Sequence, residues 1–97
     1  MRLDMRTCNL DGRAVGSLDQ AYDILARQLG FPAHFGRNLD ALWDVLTTDL
    51  EGPCTVRWHH CHESEAVMGP DFQRLLAVLQ DAAQERPDLC VEVDVRG

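Results

Sequence analysis

The stretch from residue 39 to residue 50 carries the acidic residues whose spacing is most informative. On a helix, Asp40 and Asp44 are i,i+4 neighbours, and Thr47 shares their flank at about 100° per residue. Two like charges at this spacing destabilise a helix by a few tenths of a kcal/mol, although the positive helix N-terminus offsets part of that for Asp40. The spacing leaves two interpretations open: a solvated acidic face, or an anionic surface that binds a cationic partner.

The adjacent face of this stretch is apolar and would hold the helix against a core. Its apolar side chains fall within an arc of roughly 100°, and they are Leu39, Leu42, Trp43, Leu46 and Leu50. Asn38 is a favourable N-cap, and Gly52-Pro53 ends the helical pattern. We therefore predict a helix over residues 38–50, with Trp43 at the edge of its acidic flank.

The run His59-His60-Cys61-His62 is a second group of reactive side chains, because all four can bind a metal ion. A structural zinc site, however, needs about four ligands at spaced positions with supporting partners. We therefore predict no metal site, and a polar, irregular segment over residues 59–69 with a short helical turn. A metal-binding module that uses this segment is the less favoured alternative.

Catalysis has little support in the sequence. His34 and Asp40 could be considered as an acid–base pair, but no nucleophile, phosphate-binding loop or cofactor motif accompanies them. A chain of 97 residues also leaves little room for a substrate pocket. We expect no enzyme activity, no catalytic residue and no cofactor.

Strand and helix patterns alternate along the chain and would position these residues. Short apolar or alternating runs predict strands near residues 2–9, 54–59 and 89–95. The 3.6-residue periodicity predicts helices near residues 17–29, 38–50 and 70–85. Since helical crossovers join parallel strands, the predicted fold is α/β, a three-stranded parallel sheet with helices packed on it.

Helix ends and core positions follow from the same patterns. Ser17 and Gln20 form a capping-box pattern, Gly30 suits the end of the first helix, and Pro70 suits the first position of the last helix. The side chains that we predict to be buried are Leu25, Leu42, Leu46, Val56, Leu76, Leu79, Val91 and Val93.

The four cysteines are widely spaced and include no CxxC pair. We predict that Cys8, Cys54 and Cys90 are small buried strand residues. Cys61 lies in the polar run and is predicted to be the most exposed. Because nothing in the chain indicates secretion, all four thiols are expected to be reduced.

Composition limits the kind of partner. The chain has the length of one domain, residues 1–97, and 16 acidic against 9 basic residues give a formal net charge of −7. The acidity argues against nucleic-acid binding, which needs a basic surface, and suits a basic protein partner. No apolar run approaches the ~20 residues of a membrane helix and no signal peptide opens the chain, so we expect a cytoplasmic protein that binds no membrane.

Residues 31–44, FPAHFGRNLDALWD, resemble the signature of the barstar family, whose members are intracellular inhibitors of a secreted ribonuclease. The family pattern is an apolar residue and Pro, two aromatic residues, Gly, any residue, and then Asn-Leu-Asp-Ala-Leu-Trp-Asp. The segment from Asn38 to Asp44 matches in full, and the order of strands and helices is similar over nearly the whole chain. The resemblance implies a barstar-like fold and a one-to-one complex with a small basic ribonuclease, formed by a chain that is monomeric when free.

The resemblance also implies roles for individual residues on the predicted acidic helix. Asp44 holds the position of the aspartate that enters the ribonuclease active site, where a substrate phosphate would lie. Asp40 holds the position of a second contact with the basic site. Trp43 lies between them at the edge of the interface, and Thr47 follows on the same flank.

The loop and the last helix would supply the remaining contacts. His34 and Phe35 hold the positions of the aromatic pair that packs over the enzyme, while Gly36 and Asn38 would position the loop and cap the helix. Asp81 aligns with a glutamate on the last helix of the family. Here His34 replaces a tyrosine and Asp81 is one methylene shorter, which leaves the identity of the target ribonuclease open.

Two further interpretations keep the fold but change the biology. The chain could be an interaction module that binds a partner other than a ribonuclease. As an inhibitor, it could serve either immunity between competing bacteria or protection from the cell's own secreted enzyme.

Overall fold

Three strands and four helices follow one another in the computed structural model, which describes residues 6–50 and 52–94. The strands are β1 (Arg6–Asp11), β2 (Cys54–His59) and β3 (Leu89–Asp94). The helices are α1 (Leu18–Leu29), α2 (Leu39–Asp44), α3 (Cys61–Met68) and α4 (Pro70–Glu85). Helix α2 continues directly into a π-helical turn over Val45–Asp49.

The sheet has the order β1-β2-β3, and both pairs of strands are parallel. Cys8 pairs with Val56, which in turn pairs with Val91. The predicted three-stranded parallel sheet with packed helices is therefore confirmed. Residues 2–5 and Val95, which the sequence analysis assigned to the outer strands, lie outside the described residues.

The helices cover one face of this sheet. Two right-handed crossovers that progress in the same direction across a sheet place their helices on the same side. Helix α1 packs on β1 and α4 packs on β3, while α2 and α3 pack against α4. Buried side chains accordingly alternate along the strands, as at Cys8 and Leu10 on β1 and at Val56 and Trp58 on β2.

The other face of the sheet is open and polar. One row across it is Asn9, Arg57 and Glu92, and the Arg57 Nε donates to the Glu92 Oε1 at 2.9 Å. The next row contains His59, whose Nε2 lies 3.2 Å from the Asn9 Oδ1. Parallel sheets are commonly buried on both faces, but here polar side chains replace apolar ones on the uncovered side.

Most of the residues that we predicted for the core are buried, and the exceptions lie on α4 and β3. The residues that are buried as predicted are Leu25, Leu42, Leu46, Val56 and Leu79. Leu76 and Val91 are only half-buried. The prediction for Val93 is wrong, because this side chain is 36% exposed. Val93 lies at the carboxyl end of an edge strand, which has a neighbouring strand on one side only.

The prediction of an irregular segment after β2 is also wrong, since α3 occupies Cys61–Met68. Its buried residues are Cys61, Ser64 and Met68, so a serine stands where an apolar residue would have revealed the periodicity. The Trp58 Nε1 donates to the Ser64 Oγ at 3.1 Å, and the Ser64 Oγ donates to the Val15 carbonyl at 2.7 Å. These bonds satisfy a hydroxyl that would otherwise be costly to bury.

The cysteines differ from the prediction at two positions. Cys8 and Cys54 are buried as predicted, but Cys61 is buried too and Cys90 is exposed. Cys61 begins α3 and points into the core, whereas Cys90 follows the buried Leu89 and lies on the open face of the sheet. Burial raises the pKa of the Cys8 thiol to about 12. All four thiols are free.

Helix α1 has the capping residues that the sequence predicted, with one difference in detail. The Ser17 Oγ accepts from the Gln20 N–H at 3.2 Å, while the Gln20 side chain accepts from Gly16 rather than from Ser17, at 2.7 Å. Gly30 ends the helix in the left-handed conformation, with φ at 71°. Among the described residues, no helix is both long enough and apolar enough to cross a membrane.

Candidate functional site

Helix α2, which carries Asp40 and Asp44, begins at a well-formed N-cap. The Asn38 Oδ1 accepts from the Ala41 N–H at 2.7 Å, which satisfies one of the free donors of the first turn. The backbone before the cap passes close to the helix, because a Cβ added to Gly36 would lie 3.2 Å from the Ala41 Cβ. Asn38 thus caps the helix, and Gly36 leaves room for the close approach of the loop to its first turn.

The same helix ends in a wider turn than the predicted α-helix over 38–50. The Leu50 N–H donates to the Val45 carbonyl at 2.9 Å, which is the i→i−5 bond of a π-helix. The Thr47 hydroxyl donates to the Trp43 carbonyl at 2.7 Å. Thr47 therefore uses its donor inside the helix and can offer a partner only its acceptor capacity.

Arg86 holds this carboxyl end from the segment between α4 and β3. Its guanidinium donates to the carbonyls of Leu46, Leu50 and Gly52 at 2.9, 2.6 and 3.0 Å. It also donates twice to the Asp88 carboxylate at 3.0 Å, and these bonds hold the pKa of Asp88 below its ordinary value. The Arg86 side chain is only 13% exposed, so the end of the site helix is fixed to the body of the protein.

The two predicted aromatic-pair positions in the loop of residues 31–37 have different surroundings. Phe35 is half-buried, in edge-on contact with Tyr22 and Phe31 at ring-centroid distances of 5.7 and 5.0 Å. His34 is exposed and has no hydrogen-bond partner within the described part of the chain. Phe35 therefore anchors the loop to α1, and His34 is the side chain that faces outward.

Arg37, at the variable position of the motif, joins the loop to α1 more strongly than the sequence suggested. Its guanidinium donates to the Asp23 Oδ1 at 2.8 Å and to the Asp19 Oδ1 at 3.3 Å. The hydrogen bond to Asp23 raises the pKa of Arg37, and the guanidinium carbon lies 6.0 Å from the centre of the Tyr22 ring. Asp19 and Asp23 are i,i+4 neighbours of like charge, a sequence signal that could have pointed to a cation beside α1.

Asp40 and Asp44 are both exposed. Neither carboxylate forms an ion pair or hydrogen bond with any residue in 6–50 or 52–94, whereas Asp19 and Asp23 are neutralised in part by Arg37. Within those ranges, most carboxylates that lack an ion pair lie on two segments that pack together. One is α2 with the π-helical turn that follows it, and the other is α4. They are Asp40, Asp44, Asp49, Asp81 and Glu85; Glu63 on α3 is the exception.

We refer to the exposed carboxylates of α2, its π-helical turn and α4 as the acidic surface, and Trp43 lies half-buried on the same helix as Asp40 and Asp44. Asp81 is exposed on α4 as predicted. Asp40 and Asn38 line a cleft shared with Asp19 and Tyr22 of α1. The side chains of this surface can accept charge-assisted hydrogen bonds from several cations at once.

His34 and Asp40 are not brought together as an acid–base pair. His34 lines a different cleft, whose other walls include Val45, Asp49 and Leu50. No hydrogen bond links His34 to Asp40 in the described ranges. The geometry therefore offers no support for the catalytic alternative.

The run His59-His60-Cys61-His62 does not converge on one point. His59 lies at the end of β2, Cys61 is buried at the start of α3, and the exposed His62 Nδ1 lies 3.7 Å from the Glu65 Oε1. In the ranges that the structure describes, no group of three or more His, Cys, Asp or Glu side chains is placed to hold a metal ion.

Comparison with known proteins supports the family that the motif of residues 31–44 indicates. The family model described as Barstar (barnase inhibitor) matches residues 5–95. The chain is also 37% identical over 84 residues to a Bacillus subtilis (strain 168) protein named "Putative ribonuclease inhibitor YrdF". That alignment covers 87% of this chain and 92% of the relative.

Proposed function

We propose, from the premise that this chain belongs to the barstar family, that it binds a small basic ribonuclease one-to-one and blocks its active site. The binding surface is the acidic surface together with the loop of residues 31–37. The chain acts as an inhibitor and not as a catalyst, and its place of action is the cytoplasm, as the resemblance to intracellular inhibitors implies.

One observation carries the proposal: among the described residues, the carboxylates without an ion pair are concentrated on the helix that bears the family motif and on its neighbour α4. A ribonuclease active site is a group of cations shaped to bind phosphate, and an exposed carboxylate can occupy that place with charge-assisted hydrogen bonds. Asp44 is the proposed occupant, and Asp40 the proposed second contact with the basic site.

The rigid support of the surface favours tight binding. The helix is capped by Asn38 at one end and held by Arg86 at the other, so little ordering entropy is lost when a partner binds. Trp43, His34 and Asp81 are proposed to contact the enzyme around the two central aspartates. With a formal charge of −7, the chain would also be steered toward a basic enzyme.

The test is Asp44→Ala, assayed against a panel of small basic ribonucleases that includes barnase. The variant leaves the enzyme's cations facing a methyl group, and binding to the enzyme that the wild type inhibits should weaken by at least ~2 kcal/mol. Its stability in a thermal melt should be that of the wild type or higher by a few tenths of a kcal/mol, because repulsion from Asp40 is relieved. Isothermal titration and inhibition of RNA cleavage measure the binding loss.

Glu63→Ala is the matched control, because Glu63 is also an exposed carboxylate without an ion pair but lies on α3. It should leave affinity nearly unchanged. Equal binding by Asp44→Ala and the wild type would contradict the proposed role of the helix. Wild-type protein that inhibits no ribonuclease of the panel would contradict the proposed function and favour an interaction module with another partner.

A further inference from the structure

We propose that Arg37 clamps the loop of residues 31–37 against α1, and that it is thereby a positioning residue for the binding surface. The inference rests on the proposed function for its consequence in binding. For the clamp itself, it rests only on contacts within the free chain.

The first argument is the positive charge of Arg37 at a position within an acidic surface. Arg37 is a cation within a surface that is proposed to attract a basic enzyme, one residue before the cap Asn38 and three before Asp40. If the surface worked by net charge alone, a cation here would weaken steering and binding. A compensating role is needed, and the contacts of the guanidinium provide one.

The second argument is the geometry of those contacts. The guanidinium spans two successive turns of α1, reaching Asp23 at 2.8 Å and both the carboxylate and the carbonyl of Asp19, at 3.3 and 3.2 Å. A planar fork can hold several acceptors at fixed angles, which a lysine cannot do. The side chain is still 43% exposed, so these contacts position the loop more than they stabilise the whole fold.

The third argument is the backbone of the loop. Arg37 has φ at 55°, a left-handed conformation that a non-glycine residue adopts at a cost. The side-chain contacts offset this cost and fix the turn that leads from Phe35 into the helix. Phe35 is held from the other side by Tyr22, so the loop is attached to α1 at two points.

Hydrogen exchange in the free protein tests the clamp without any partner. The Phe35 N–H donates to the Pro32 carbonyl at 3.0 Å, and this bond reports whether the loop keeps its shape. In Arg37→Ala the Phe35 amide should exchange several-fold faster, while amides in the middle of α4 keep their protection. An unchanged Phe35 rate would overturn the clamp.

Binding kinetics test the positioning role, with the ribonuclease that wild-type protein inhibits as the probe. Arg37→Ala makes the chain more acidic, so association at low salt should become faster. Dissociation should become about three- to ten-fold faster, as expected when contacting residues are uncoupled. Slower or unchanged dissociation would overturn the positioning role, because net charge would then account for the residue.

Asp23→Ala supplies a signature that charge alone cannot produce. It changes the net charge in the opposite direction, so association should slow, yet dissociation should again become faster. In the double variant Arg37→Ala/Asp23→Ala, the two dissociation effects should not add. Additive effects would show that the two residues act separately, and the clamp would be wrong.

Two further variants separate the guanidinium from its charge and its backbone. Arg57→Ala removes an arginine of the same charge on the open face of the sheet. The Arg57 side chain is 52% exposed and pairs with Glu92, so this variant should leave dissociation unchanged. Arg37→Gly tolerates the left-handed backbone but has no clamp, and it should dissociate as fast as Arg37→Ala. Wild-type kinetics for Arg37→Gly would overturn the proposal. If no ribonuclease binds, the proposed function fails, while the exchange rates still decide the clamp.

Discussion

Helices α1 and α2 each carry two aspartates at i,i+4 spacing, and the two pairs have different surroundings. Asp19 and Asp23 on α1 face the guanidinium of Arg37 at 3.3 and 2.8 Å. Asp40 and Asp44 on α2 form no ion pair with any described residue, although Arg37 lines the same cleft as Asp40. The first pair is therefore neutralised in part within the chain. The second pair is exposed and has no ion-pair partner among the described residues.

The comparison shows what distinguishes an acidic binding surface from an acidic patch. Like charges at i,i+4 cost a helix a few tenths of a kcal/mol wherever they occur, so spacing alone does not identify a site. What differs is whether the folded chain supplies the opposite charge. On α1 it does, and on α2 a partner would have to do so.

The largest expected effect tests the support beneath the α2 pair. Leu46 is fully buried in the core below the acidic surface, so Leu46→Ala should lower the free energy of unfolding by roughly 2–5 kcal/mol through the cavity that it leaves. Urea denaturation monitored by circular dichroism measures this loss. A loss under ~1 kcal/mol would mean that this end of the helix is not part of the core. Asp40 and Asp44 would then lie on a helix without rigid support.

A smaller loss is expected at the carboxyl end of the same helix. Arg86→Met removes the donors to three carbonyls, of which those of Leu46 and Leu50 are part-buried, and leaving these acceptors unpaired should cost about 1–3 kcal/mol. The same denaturation assay applies. Arg74→Met is the control, because Arg74 forms an exposed ion pair with Asp71 on α4 and should cost less than ~1 kcal/mol. Equal effects of the two variants would show that Arg86 is only another surface arginine.

The smallest expected effect is that substitutions in the two aspartate pairs change the free energy of unfolding in opposite directions. Asp44→Asn relieves repulsion from Asp40 and should raise the free energy of unfolding by a few tenths of a kcal/mol. Asp23→Asn removes the closer partner of Arg37 and should lower stability slightly, since exposed ion pairs contribute little. Paired thermal melts at low salt measure both changes. Stabilisation by both substitutions would remove the distinction between the pairs.

The sequence predicted the scaffold well where one periodic pattern dominates. The stripe of α1 and the alternation of β2 each bury one face, so helix, strand and parallel order all follow. The cap of Asn38 is local and could be predicted for the same reason. The motif pointed to Asp40 and Asp44, which are exposed, whereas Asp49 and Glu85 of the acidic surface were not among the predicted site residues.

The parts that the sequence did not predict depend on contacts between distant segments. Helix α3 was missed because Ser64 takes a core position, where its hydroxyl is satisfied by Trp58 and by the carbonyls of Gly12 and Val15. The π turn is contacted by Arg86, which donates to the Leu46 carbonyl from 40 residues away, and a contact of this kind leaves no local signal in the sequence. Arg37 was treated as a variable position because its partners lie on another helix.

The exposed thiol on the open face of the sheet makes the chain convenient to attach. Cys90 is accessible, whereas burial raises the pKa of the thiols of Cys8, Cys54 and Cys61, and the thiolate is the form that reacts with a maleimide. A dye or a surface tether would therefore react with the native chain at one position. Because Cys90 lies on the sheet face that the helices leave uncovered, the acidic surface of a tethered molecule would stay free for partners in solution.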